Sequence, residues 1–182
     1  MTSLKDYPSQ NNTPGVVLFI LFWVGLGLLI AAMVLFDEVL MPVFIAVLLW
    51  ILPGAIITPF LYNALPSKKL KGFGKAIMLL LVNTIAFGGI VLYIVLAMDY
   101  YDAKGSPVTT GRFPVVEYGY TTRSRGGGEK IPFANISYQN QIKRINFPGY
   151  AVGDTLNYHS VQLATTPGYL GFDIIKSKKL LK

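Results

Sequence analysis

The sequence predicts a membrane protein with three transmembrane helices followed by a C-terminal all-β domain, a small SH3-like or OB-like barrel. Three long apolar runs without charge occupy the N-terminal part of the chain. From about Gly111 the pattern changes to short alternating segments separated by turn residues. The chain is 53% hydrophobic and only 14% charged, whereas ordinary soluble domains carry about 25% charged residues.

Each apolar run is long enough to cross a membrane as a helix, which takes about 20 residues. The predicted spans are 15–36, 39–61 and 76–98, preceded by an N-terminal segment, 1–14. Because unpaired backbone groups are costly in hydrocarbon, these runs should be helical. The first run is longer than the apolar part of a cleaved signal peptide and leads into Asp37 and Glu38 rather than into small residues, so we expect it to be retained.

Only Asp37 and Glu38 separate the first two predicted spans, which predicts a tight antiparallel helix hairpin. The second span contains three prolines. Pro42 suits the first turn of a helix, whereas Pro53 lies deep in the span and should bend it.

Small residues on the first and third spans predict close helix contacts. The polar pair Asn83 and Thr84 has two interpretations: a substrate or ion path, or an interhelical hydrogen bond, which we favour. The predicted spans contain no Asp, Glu, Lys, Arg or His, which argues against a proton relay or an ion-coupled carrier. The residues predicted at helix contacts are Gly25, Gly27, Ala31, Asn83, Ala86, Gly88 and Gly89.

The distribution of lysine predicts the orientation, because cytoplasmic loops are enriched in lysine and arginine. The loop between the second and third spans carries four lysines, whereas the loop before it carries only Asp37 and Glu38. We therefore expect a cytoplasmic N-terminus and an extracytoplasmic C-terminal domain in a bacterial inner (plasma) membrane. Lys104 and Arg112 reduce the contrast between the two sides. The topology-determining lysines are Lys68, Lys69, Lys71 and Lys75.

Residues 99–110 are predicted to link the third span to the β domain, 111–182. "RFPVVEYGYTT" places Val116, Tyr118 and Tyr120 on one face of a first strand. Four more strands are predicted in the segments "IPFANISY", "IKRINF", "YAVGDTLNYHSVQL" and "GYLGFDII". Closure into a barrel would remove the exposed strand edges.

The end of the β domain is basic. "GYLGFDII" puts Leu170, Phe172 and Ile174 on one face of the last predicted strand. The end of the chain, "IIKSKKLLK", is basic and partly apolar and is by default a frayed tail, with contact to anionic lipid or to a partner as the alternative.

The segments "FPVVEYGY", "ISYQNQ" and "YAVGDTL", in that order, resemble a broad group of uncharacterised bacterial membrane proteins. Those proteins combine a few transmembrane helices with a small β domain. The group usually has a proline at the end of "vGD-x-V-x-V-x-Y-x-P", which "GDTLNYHSVQ" lacks. The resemblance covers the β domain, 111–182, and implies a fold but no activity.

Residues that carry chemistry are sparse. The absence of cysteine excludes cysteine catalysis, disulfides and thiolate metal sites. The single histidine, His159, has only Asp154 and Asp173 nearby in sequence, so we expect an ordinary strand residue rather than a base or metal ligand. "SRGGGEK" lacks the spacing of a phosphate-binding loop and indicates a hairpin loop. The sequence predicts no catalytic site, cofactor or metal.

These observations favour a non-enzymatic membrane subunit or scaffold. We expect it to contact membrane lipid, and other membrane proteins or further copies of itself, but no nucleic acid. The net charge of +7 lies largely where membrane topology accounts for it. The sequence identifies no small-molecule ligand. The alternative is an anchored immunity or inhibitor protein against a membrane-acting toxin. A third hypothesis, a transport or enzyme component, would need Asn83, His159 or a partner chain to supply the chemistry.

Overall fold

The computed structural model of the protein describes residues 13–64, 72–103, 107–122, 130–139, 141–150 and 158–182. Its helices are α1 (Thr13–Glu38), α2 (Val43–Ala64) and α3 (Phe73–Asp102). Each has a stretch long and apolar enough to cross a membrane, so the predicted helical membrane part is confirmed. The third helix contains a π-helical turn, Thr84–Gly88.

The boundary between the first two helices differs from the prediction. A span from Val39 was expected, but α2 begins at Val43, and Val39–Pro42 forms a non-helical connector. Pro42 disfavours a helical conformation in the residue before it. Its carbonyl accepts hydrogen bonds from the first turn of α2, from the N–H groups of Ile45 and Ala46. The helix therefore begins immediately after the proline.

The predicted linker, 99–110, is also shorter in the structure, because α3 continues to Asp102 and the first strand begins at Thr109. The described chain forms two compact units. We call the helical residues up to Ile30 and from Val47 to Leu92 the membrane unit. We call Ala31–Ala46 with Tyr93–Lys182 the β unit.

Within the membrane unit, α3 packs against both other helices at glycines. A Cβ on Gly25 would lie 2.5 Å from Cα of Ala86, and a Cβ on Gly89 would collide with the carbonyl of Gly25. On the other side, a Cβ on Gly54 would lie 2.5 Å from Cα of Thr84. Separations under 3 Å do not occur for real Cβ atoms. The backbones are therefore as close as small residues allow.

The predicted contact residues do not all lie in this packing. Gly27 does not take part, because a Cβ there would meet no atom within 4 Å. Ala31 is half-buried and belongs to the β unit. The residues that are buried are Gly25, Asn83, Ala86, Gly88 and Gly89.

The described residues of the β unit form an antiparallel sheet of five strands in the order β3-β2-β1-β4-β5, which confirms the predicted small all-β domain. The strands are β1 (Thr109–Thr122), β2 (Lys130–Tyr138), β3 (Gln141–Asn146), β4 (Ser160–Pro167) and β5 (Asp173–Leu181).

The long first strand pairs with a different neighbour along each half. Its first half, Thr109 to Pro114, pairs with β4, and its second half, from Val115, pairs with β2. An irregularity between Val115 and Glu117 marks the change of partner. Apolar side chains from both halves of β1 pack against the same core. The buried core residues are Leu40, Ala134, Ile136, Ile145, Phe147, Val161, Leu163, Ile175 and Leu180.

The irregularity also corrects the predicted face of β1. Tyr118 packs against the core as predicted, but Val116 and Tyr120 are exposed. Phe113 and Val115 contact the core instead. A bulge adds one residue to a strand, so Val116, which lies within the irregularity, no longer shares a face with Tyr118.

The last strand lies further along the chain than predicted. Gly168–Phe172 forms a turn, in which Gly171 has a φ of +87° and the N–H of Gly168 donates to the carbonyl of Phe172. The basic end of the chain is therefore β5, paired with β4 as far as Leu181, and the frayed tail is wrong. Leu180 is buried in the core and holds the strand in place.

We predict that Gly25→Leu lowers the free energy of unfolding of the membrane unit by about 1–3 kcal/mol, because the new side chain must displace backbone atoms of α3. Gly27→Leu adds the same bulk to the same helix in open space and should leave the melting temperature unchanged. Thermal unfolding in mild detergent measures both. Equal melting temperatures for the two variants would contradict the described helix contact.

Candidate functional site

The connector Val39–Pro42 is bound to the edge of the sheet. The N–H of Leu40 donates to the carbonyl of Asp173 at 2.7 Å, and Val39 forms an antiparallel bridge with Ile174. The side chains of Val39, Leu40 and Met41 are buried. The loop of the helix hairpin therefore adds a short strand-like segment to β5 and a leucine to the core.

Lys143 on β3 holds the connector from the other side. Its Nζ donates to the carbonyls of Phe36 at 3.1 Å and Val39 at 2.9 Å, and lies 3.9 Å from the centre of the Phe36 ring. The last carbonyls of a helix lack helical partners and carry partial negative charge, so an amine there is favourable. Since β3 and β5 are the outer strands of the described sheet, the connector spans its open side.

Burial lowers the pKa of the Lys143 amine to about 8, and the nearby Asp37 carboxylate partly opposes the shift. An amine without burial titrates near 10.4. The folded protein therefore releases this proton at a lower pH than the unfolded chain. Burying the charged amine reduces stability at neutral pH, and its two hydrogen bonds to backbone carbonyls offset part of that cost.

A second polar contact joins β2 to β5. The hydroxyl of Tyr138 donates to the carboxylate of Asp173, and the Tyr138 ring packs 5.4 Å from that of Phe113. Burial, together with the hydrogen bond to Asp173, raises the pKa of Tyr138. Asp173 thus contributes its carbonyl to the connector and its side chain to β2.

The end of α3 is attached to the turn between β4 and β5. Asp99 is fully buried, and its Oδ1 accepts a hydrogen bond from the N–H of Leu170 at 2.6 Å. A Cβ on Gly168 would collide with the same carboxylate, so only glycine allows this approach. The second oxygen of Asp99, Oδ2, is buried without a partner among the described residues.

A cleft of about 380 Å³ lies beside the end of α1. Its size suits a small molecule. Lys178 Nζ lies 3.7 Å from Glu38 Oε1, which leaves the Asp37 carboxylate as the remaining charge of the lining. The lining residues are Asp37, Glu38, Thr121, Ile131, Asn146, Pro148 and Lys178.

The membrane unit contains the interhelical hydrogen bond that the sequence favoured for Asn83. Its Nδ2 donates to Oγ1 of Thr58 at 3.0 Å, and that hydroxyl donates to the carbonyl of Gly54 at 2.7 Å. Oδ1 of Asn83 and Nε1 of Trp50 are buried without partners in the described part of the chain. Amide, hydroxyl and indole groups do not titrate at physiological pH. This cluster can orient helices but cannot relay protons by titration.

The single histidine is exposed just before β4. The N–H of His159 donates to the carbonyl of Leu181, and its carbonyl accepts from the N–H of Val115, so its backbone belongs to the sheet. The residues that the structure describes include no group of three His, Cys, Asp or Glu side chains that could hold a metal. Asp154 lies outside the described residues.

Of the topology-determining lysines, Lys68, Lys69 and Lys71 lie outside the described residues, as does most of "SRGGGEK". Lys75 is described: its Nζ donates to the carbonyl of Tyr62 at 2.6 Å and lies 4.5 Å from the centre of that ring. Sequence reasoning missed Lys143 and Asp99. The only signal was their setting, a lysine between Ile142 and Ile145 and an acid directly after an apolar span.

We predict that Leu40→Ala destabilises the β unit by about 2–5 kcal/mol, because it leaves a cavity in the core. Val43→Ala is the matched control, since Val43 is 58% exposed and surface changes usually stay within about 0.5 kcal/mol. Amide hydrogen exchange of β4 and β5 in nanodiscs measures the effect. Equal protection in both variants would show that the connector is not part of this core.

The stability of the β unit should depend on pH through the Lys143 amine. Between pH 8 and pH 10 the unfolded chain keeps the Lys143 proton and the folded protein loses it, so stability rises with pH. The melting temperature of the native protein minus that of Lys143→Met should therefore increase over this range. Lys179→Met, at an exposed position on β5, controls for the lost positive charge. A pH-independent difference would contradict the burial of the amine.

Comparison with known protein families, with curated proteins and with solved structures finds no match. The resemblance of the C-terminal sequence to the β domains of bacterial membrane proteins therefore remains a prediction.

Proposed function

We propose that this protein is a non-enzymatic integral membrane subunit or scaffold. Its helices pack on partner membrane proteins, and its β domain makes an extracytoplasmic contact. We also propose a bacterial inner membrane, with the N-terminus in the cytoplasm. The observation that carries the proposal is the double attachment of the sheet: Leu40 joins it to the end of α1, and Asp99 joins it to the end of α3.

The attachment of the sheet to the ends of both α1 and α3 supports a role in presenting a surface to a partner protein. A domain joined to its anchor only by a flexible linker would sample many orientations. Here the connector is bound by β5 and Lys143, and the turn after β4 is bound by Asp99. These polar groups satisfy backbone atoms of the same chain, which is a structural use. Within the β unit, the sheet is thereby bound to the last turns of two helices, which supports a role in presenting its outer surface to a partner.

The exposed face of α1 supports helix packing on a partner. It carries large apolar side chains with a notch at Gly27, where a Cβ would meet nothing within 4 Å. A small residue among large ones lets another helix approach closely. The exposed large residues around the notch are Ile20, Trp23, Val24, Ile30 and Val34.

The proposed orientation rests on charge and on the composition of the β unit. The connector and the described strands belong to one compact unit, which supports placing them together on one side of the membrane. The connector follows the acidic pair Asp37 and Glu38, whereas the lysine-rich loop lies beyond α2. The positive-inside tendency then favours a cytoplasmic lysine loop and an extracytoplasmic sheet.

Co-purification tests the proposal. The native protein, extracted in mild detergent, should retain a partner that mass spectrometry identifies. Gly27→Leu should reduce recovery of that partner about tenfold or more without changing the melting temperature, since a loss of about 1.4 kcal/mol is tenfold in affinity. Gly15→Leu, at a second glycine of α1 without neighbours, is the matched control.

Two results would count against the subunit role. One is a native protein that retains no partner under conditions in which it stays folded. The other is an unchanged recovery with Gly27→Leu, which would remove the helix contact from the proposal. Recovery of a membrane-acting toxin as the partner would assign the immunity role instead.

A further inference from the structure

The turn Gly168–Phe172, between β4 and β5, is bound to the end of α3. Its Leu170 N–H donates to Oδ1 of Asp99 at 2.6 Å, and Gly168 lies directly against that carboxylate. The uncharged part of the third span ends at Met98. Asp99 is the next residue, so the turn is attached where α3 reaches the end of its apolar run.

This turn exposes an aromatic and an aliphatic side chain. Tyr169 is 64% exposed and Leu170 is 44% exposed. The backbone of the turn is closed by hydrogen bonds from Gly168 to Phe172 and from Gly171 to Gly168. The tip is therefore an ordered apolar projection. Neither side chain is needed to fill the core of the sheet.

The surroundings of the tip have the chemistry of a membrane interface. Tyr169 lines an open cleft of about 370 Å³ with Met98, Tyr101 and Asp102 from the end of α3. On β5, Nζ of Lys176 lies 5.5 Å from the centre of the Tyr100 ring. Tyrosine is enriched at the level of lipid headgroups, and lysine there reaches toward phosphate.

We propose that the tip, Tyr169 and Leu170, is immersed in the boundary between the headgroups and acyl chains of the bilayer that holds α3. Lys176 then faces lipid phosphate. Lipid is the occupant because the depth of the tip is set by α3 itself: any bilayer that covers the apolar run up to Met98 also reaches the residue that binds the turn. The lipid contact is a third attachment of the β unit, besides the connector and Asp99.

Spin labelling tests this proposal, since the protein contains no cysteine. Full-length Tyr169→Cys carries a nitroxide in lipid nanodiscs that contain no other protein. The control is His159→Cys, an exposed position at the opposite end of β4. The strand has eight residues, which places the two labels about 26 Å apart along its length.

Oxygen concentrates in the bilayer, and a nickel chelate stays in water. We expect the label at residue 169 to collide more with oxygen than with the chelate, and the label at 159 to show the reverse. Tyr169 is largely exposed, so Tyr169→Cys should melt as the native protein does. A label at 169 that is as accessible to the chelate as the label at 159 would overturn the proposal. A tip that loses chelate access only when a partner protein is added would assign the surface to that protein.

Discussion

The β unit depends on one interaction, the pairing of the helix-hairpin connector with the edge of β5. The connector supplies Leu40 to the core. The N–H of Leu40 donates to the carbonyl of Asp173, and the carbonyl of Val39 accepts from Lys143. A fully buried leucine side chain contributes about 1.5–3 kcal/mol. The backbone bonds also cover part of an exposed strand edge, which would otherwise invite pairing with another chain. The same segment thus serves as the loop of a membrane hairpin and as part of a sheet.

The helices and most strands could be predicted because their signals are local. Three uncharged runs cannot remain in water, and alternation with nearby turns specifies short strands. The hydropathy pattern wrongly assigned Val39, Leu40 and Met41 to the second membrane span. Hydropathy does not distinguish a side chain buried in lipid from one buried in protein. It failed again on β5, where outward lysines hide the inward Ile175 and Leu180.

The candidate sites show the same limit. Asn83 could be predicted, because a polar amide in an apolar span needs a partner nearby. Lys143 and Asp99 bind backbone groups that lie far away in sequence, so no local spacing indicates them. Gly25 and Gly27 are two positions apart, and a helix turns about 100° per residue. They therefore face different directions, and only Gly25 lies against α3.

The contact between Lys143 and the connector has a consequence for the order of synthesis. It joins residues 104 and 107 positions apart, so the two helices of the hairpin are complete long before their binding strand exists. Contacts of such separation form slowly. During that interval the buried face of Val39 to Met41 has no strand to cover it, and unpaired apolar segments are prone to wrong association. Completion of the sheet is therefore also the step that protects the hairpin, and a chain interrupted before β3 would leave the ribosome with this segment uncovered.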